Sequence, residues 1–148
     1  MVSLKMKNFK NKFLPLIALA LYIFAIDVSD AMAAGRKHPE AWYVEKYCSG
    51  EIEHSNVDKT RTDCLVDGYS IEFDFADKWY ECLTQAGHYS ILNKNEAICF
   101  LIAEGPNDTI YTNRAQNIID NWNLPITIVI VDENGMQSIE PEVTPLLK

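Results

Sequence analysis

Two apolar runs separated by one helix-length segment constrain this chain more than any other feature of its 148 residues. Ala97-Ile-Cys-Phe-Leu-Ile-Ala103 and Leu124-Pro-Ile-Thr-Ile-Val-Ile-Val131 carry almost nothing polar, the pattern of strands buried on both faces. Residues 109–122 between them read as a long helix, so the two strands belong to one sheet and are joined by a helical crossover. Upstream, Tyr69, Ile71, Phe73 and Phe75 alternate with Ser70, Glu72 and Asp74, which gives a strand with one core face and one acidic face. Asp67-Gly68 is a hairpin signal that links this strand to another over Thr62 to Val66, and residues 51–57 read as a further strand.

A helix precedes these strands. Pro39 suits a first turn, Trp42, Tyr43 and Tyr47 recur at helical spacing, and Ser49-Gly50 ends the segment. From Ala76 to about Leu92 the pattern is helical again, with Trp79, Leu83 and Ala86 as a packing stripe. The order helix, three strands, helix, strand, helix, strand predicts an α/β domain, a mixed central sheet flanked by helices. With 48% hydrophobic residues and no repeat or low-complexity tract, the composition excludes a disordered or fibrous chain. Residues 34–135 are expected to form this domain, and 136–148, with Pro141 and Pro145, an irregular tail.

Residues 1–33 read as a signal peptide. Lys5, Lys7, Lys10 and Lys12 lead into the uncharged run from Phe13 to Ile26, and Ala31-Met32-Ala33 offers small residues for cleavage. The apolar run is shorter than the roughly 20 residues of a membrane-spanning helix, so no stable span is expected after cleavage. The expected location is the periplasm or the outside of the cell. The chain as a whole carries a formal charge of −8, and cleavage removes four Lys against two Asp, leaving an exported part more acidic still. Such a balance opposes tight, sequence-independent binding of long nucleic acid, although a bound divalent cation would invert the sign locally.

Cys48, Cys64, Cys82 and Cys99 all follow the cleavage point, an even number in a chain bound for an oxidising compartment, so disulfides are expected. Three pairings are open, and the absence of any CxxC element argues against a zinc site. No G-x-S-x-G occurs, and oxidised cysteines cannot act as nucleophiles. His54 and His88 read as surface or packing histidines.

The chemistry lies in the carboxylates. Glu72 and Asp74 share a strand face about 7 Å apart, and Asp63 joins them if the hairpin register brings it there. Converging carboxylates repel unless a proton or a hard cation intervenes, so Mg²⁺ or Mn²⁺ is the expected partner; the competing reading is a solvated acidic face. Lys78, Cys82, Gln85 and Tyr89 form one stripe of the following helix, which would bring a Lys and a Gln to the carboxylates.

The stretch from Arg61 to Trp79, continuing through Glu81-Cys-Leu-Thr-Gln-Ala-Gly-His-Tyr89, resembles a family of small exported bacterial proteins related to the PD-(D/E)xK nuclease superfamily. The resemblance spans roughly residues 40 to 130 and implies a restriction-endonuclease-like αβββαβαβ core. It implies that Asp63 is the first metal-binding aspartate, Glu72 the acid of the (D/E)xK element, and Glu45 the additional helical glutamate. Gln85 and Tyr89 match the QxxxY helix motif. The resemblance also implies a Cys48–Cys64 disulfide, which leaves Cys82 and Cys99 for a second. Two departures stand out: Asp74 occupies the position of the motif lysine, and no proline precedes Asp63 in the usual place. Lys78 is then the candidate for a lysine migrated to the helix.

The expected function is therefore metal-dependent phosphodiester hydrolysis of a nucleic acid. Asp63, Glu72, Lys78 and Gln85 are its catalytic set, and Asp63, Glu72, Asp74 and Glu45 its metal set. The alternative is a catalytically inactive nuclease scaffold that binds a protein partner or another ligand, for which Asp74 in place of lysine is the discriminating feature.

Overall fold

The computed structural model describes residues 35–138; the signal-peptide reading of residues 1–33 and most of the tail, 139–148, lie outside the described residues. The described residues from Lys37 onward belong to one unit. Its elements are α1 (Glu40–Tyr47), β1 (Glu51–Ser55), β2 (Arg61–Val66), β3 (Tyr69–Phe75), α2 (Trp79–Asn93), β4 (Glu96–Ile102), α3 (Asp108–Trp122), β5 (Ile126–Val131) and β6 (Met136–Ser138). A single 3-10 turn, Ala76–Lys78, leads into α2.

The strands form one six-stranded sheet in the order of the sequence, β1 to β6. β1, β2 and β3 are antiparallel neighbours, β3, β4 and β5 are parallel, and β6 returns antiparallel to β5. The sheet is mixed as expected, with α2 and α3 supplying the crossovers that parallel neighbours require. β6 is a difference from the sequence reading: the chain after Asn134-Gly135 pairs with β5 for three residues before the described part ends. Three residues at a sheet edge have too short a period to register as a strand in sequence.

Alternation divides the core between the two sheet faces. Tyr43, Val44 and Tyr47 of α1 pack on Ile71, Phe73 and Phe75, on their neighbours Ile98, Phe100 and Ile102, and on Val129 and Val131. Phe73 and Phe100, register partners, stack with ring centroids 4.6 Å apart. On the opposite face Leu83 and Ala86 of α2 and Ala115 and Ile119 of α3 cover Ala97, Leu101 and Ile128.

Two disulfides tie helices to strands. Cys48, at the end of α1, is bonded to Cys64 of β2, and Cys82 of α2 to Cys99 of β4. Among the described residues no cysteine is free, which fits an oxidising environment. Gly50 marks where the chain leaving α1 crosses β2: a Cβ there would stand 2.0 Å from the Leu65 carbonyl oxygen, so only glycine fits. No helix among the described residues is long and apolar enough to cross a membrane.

Candidate functional site

The β2–β3 hairpin begins as a regular ladder from its Asp67-Gly68 turn: Val66 faces Tyr69, Leu65 faces Ser70, and Cys64 faces Ile71. There the register ends. The next ladder position is replaced by a side chain, because the Phe73 N–H donates to Asp63 Oδ2 at 2.9 Å. On the other side of β2 the register passes from Ile52↔Cys64 to His54↔Thr62, and Glu53 between them takes a left-handed φ of 57°. The chain around Asp63 thus leaves regular pairing on both sides, and a cleft of about 390 Å³ opens at this point.

Nine of the described residues line the cleft. Asp63 and Glu72 come from β2 and β3, and Gln85 and Tyr89 from α2. Glu40 comes from the first turn of α1, Glu53 from β1, and Lys59, Thr60 and Arg61 from the β1–β2 turn and the start of β2. Three of the residues singled out in the sequence, Asp63, Glu72 and Gln85, are therefore brought together. Tyr89 joins them, its hydroxyl 3.4 Å from Gln85 Oε1.

The acidic face of β3 is not solvated. Glu72 and Asp74 are each only 5% exposed because α2 lies over them, which rules out the reading of a wet acidic surface. Glu72 Oε2 has no hydrogen-bond partner despite its burial. Burial, reinforced by the Asp63 charge, lifts the Glu72 carboxyl to about 10. Burial also raises Asp63 to about 6, against the pull of the Phe73 N–H, and Asp74 to about 7, against the pull of Lys78.

Asp74 and Lys78 form a separate pair beside the cleft. Lys78 Nζ is 3.6 Å from Asp74 Oδ1 and 4.0 Å from Glu81 Oε2, and neither Lys78 nor Asp74 lines the cleft. Lys78 closes the 3-10 turn and caps α2 with φ −104° and ψ 23°, outside helical geometry, so the helical stripe of Cys82, Gln85 and Tyr89 does not extend to it. Cys82 itself is buried, its Sγ 3.5 Å from the Glu72 carbonyl oxygen.

Glu45 is exposed and does not reach the cleft, whereas Glu40 does. The helical pattern held that signal. Glu40 lies three and four residues before the buried Tyr43 and Val44, on the stripe that faces the sheet, and Glu45 falls on the opposite side. The cations Lys59 and Arg61 had no such signal, since their approach depends on how the hairpin folds. Among the described residues no group of three or more His, Cys, Asp or Glu side chains converges closely enough to form a metal site by itself. His54 contacts Glu51 Oε2 at 2.9 Å, and His88 Nε2 lies 2.8 Å from Asp58 Oδ2; neither lines the cleft.

Comparison with known proteins adds no assignment: no family model, no curated protein and no solved structure matches this chain.

Proposed function

We propose that this protein is an exported, divalent-metal-dependent phosphodiesterase of nuclease type, built on a restriction-endonuclease-like core and delivered by cleavage of its first 33 residues. The observation that carries the reading is the buried, unpartnered Glu72 Oε2 beside Asp63 where β2 parts from β3. A carboxylate buried without a partner is destabilising unless a proton or a cation meets it.

The residues fit Mg²⁺ or Mn²⁺. Such ions keep several waters and take only one or two protein carboxylates, completing their shell with substrate oxygens, so a preformed cluster of three is not required. Asp63 and Glu72 would hold the ion, with Glu40 at the mouth of the cleft. Bound there, the metal would supply positive charge to a phosphoryl oxygen and lower the pKa of a water. The Tyr89 hydroxyl donates to Gln85 Oε1, which leaves the Gln85 amide N–H groups as neutral donors that would orient a phosphate or a water without adding charge. The ion pair with Lys78 offsets the neighbouring Asp74 charge, so that carboxylate does not compete for the cation.

The placement of Lys78 favours a second reading, a nuclease-like scaffold that binds without cutting, because the pair with Asp74 leaves the cleft without that lysine. One assay separates the two. Labelled single- and double-stranded DNA and RNA are incubated with the disulfide-intact protein in Mg²⁺ or Mn²⁺, against a chelator control and Asp63→Ala. Cleavage that needs metal and is lost in Asp63→Ala supports hydrolysis. A folded protein that binds Mn²⁺ and cuts none of the four substrates supports the scaffold.

A further inference from the structure

Beside a bound metal ion, a basic side chain at the mouth of an acidic cleft would help it receive a phosphodiester. Among the described residues four carboxyl groups, of Glu40, Glu53, Asp63 and Glu72, line this cleft against two basic side chains. Arg61 is already engaged, its Nη1 2.9 Å from Glu53 Oε2. Lys59 is different: it is exposed at the cleft, and its ammonium has no ion pair among the described residues. Its backbone φ is 73°, the left-handed region that favours glycine, yet a lysine stands there.

The turn that carries Lys59 is fixed. The Lys59 N–H donates to the Asn56 carbonyl at 3.0 Å, and the Asn56 N–H to the Thr60 carbonyl at 2.9 Å. Asp58 Oδ1 accepts from both the Thr60 N–H and the Thr60 hydroxyl, at 3.0 and 2.6 Å. The turn is then docked on α2 at two points: His88 Nε2 lies 2.8 Å from Asp58 Oδ2, and Asn93 Nδ2 donates to Asn56 Oδ1 at 3.1 Å. The same helix carries Gln85 and Tyr89 into the cleft, so α2 sets the cation and the neutral donors in one frame.

We infer that Lys59 anchors a phosphate of the nucleic-acid strand at the mouth of this cleft, and that His88, through Asp58, is the residue that positions it. The inference rests on the phosphodiesterase reading of the same cleft and adds the residue that binds the anion. A charge-assisted contact from Lys59 would offset the carboxylates that otherwise repel the strand. Lys78, held by Asp74 and Glu81, is not available for this contact.

The test measures binding of a fluorescein-labelled ten-nucleotide single-stranded DNA in Ca²⁺ by anisotropy, and Mn²⁺ binding by calorimetry. Lys59→Gln is expected to weaken the oligonucleotide about tenfold and to make the slope of log K against log salt shallower by about 0.7, without weakening Mn²⁺. Lys59→Arg should keep most of the affinity. Lys59→Gly relieves the left-handed backbone and should melt no lower than the wild type, so its loss of oligonucleotide binding could not be laid to unfolding. His88→Ala should weaken the oligonucleotide in the wild-type background and have no further effect in Lys59→Gln, the coupling a merely structural histidine would not show.

Equal oligonucleotide binding by the wild type and Lys59→Gln, or none by the wild type, overturns the role of Lys59. An equal His88→Ala loss in both backgrounds overturns the positioning role. Lys59-dependent oligonucleotide binding by a protein that takes up no Mn²⁺ overturns the metal reading alone. Normal Mn²⁺ binding with no Lys59 effect overturns this inference alone.

Discussion

At the scale of single residues the site is defined by carboxyls kept from water. A carboxyl whose pKa is higher in the folded chain than in the unfolded chain keeps its proton after the unfolded chain has lost it, so stability falls as pH rises across that window. The window runs from the ordinary 3.8 to about 6 for Asp63, from 3.8 to about 7 for Asp74, and from 4.5 to about 10 for Glu72. Glu72→Gln removes the widest of the three. Thermal melts of the metal-free variant should exceed the wild type clearly at pH 8 and hardly at pH 4.5; a variant that melts lower at pH 8 would show that the Glu72 carboxyl stabilises the fold. The helical glutamates give a second contrast, because Glu40 lines the cleft and Glu45 is exposed. Glu40→Gln should weaken Mn²⁺ severalfold by calorimetry while Glu45→Gln leaves it unchanged, and the reverse order would return the role to Glu45.

At the scale of elements the disulfides decide how firmly the cleft is framed. Cys99 is the register partner of Glu72, so the Cys82–Cys99 bond fastens α2 directly over the buried carboxyl, one turn from Gln85. Removing the bond as Cys82→Ser with Cys99→Ser should lower unfolding free energy by about 3 kcal/mol in urea titrations, and it should speed amide exchange in α2 more than in α1. Uniform exchange in the two helices would count against a local clamp. This level of the structure was also the most legible in the sequence. Strict period two located β3, uninterrupted apolar runs located β4 and β5, and Asp67-Gly68 located the turn, because each pattern follows from burial or from backbone geometry alone. The stripe of α2 pointed to its approach to Glu72 and Asp74, but alternation alone left a solvated face open, since it tells which residues share a face and not what covers it. Glu40 was within reach of a helical-stripe argument, whereas Lys59 enters the cleft only through contacts far apart in sequence, from Asp58 to His88 and from Asn56 to Asn93.

At the scale of the whole molecule a strongly acidic chain, −8 over its full length, carries its candidate site at an opening in its own sheet. Long-range repulsion of a nucleic acid is then the default, and a divalent cation in the cleft is the physical means of reversing it locally. Whether that cation binds is read by calorimetric titration of Mn²⁺ into the disulfide-intact protein at pH 7.5, beside Asp63→Asn and Glu72→Gln shown to be folded by their melts. The expected result is one Mn²⁺ per chain in the wild type, release of protons on binding as Glu72 gives up its own, and loss of the site in both variants. A wild type that takes up no Mn²⁺, or variants that bind it equally well, would rule out a metal held by Asp63 and Glu72.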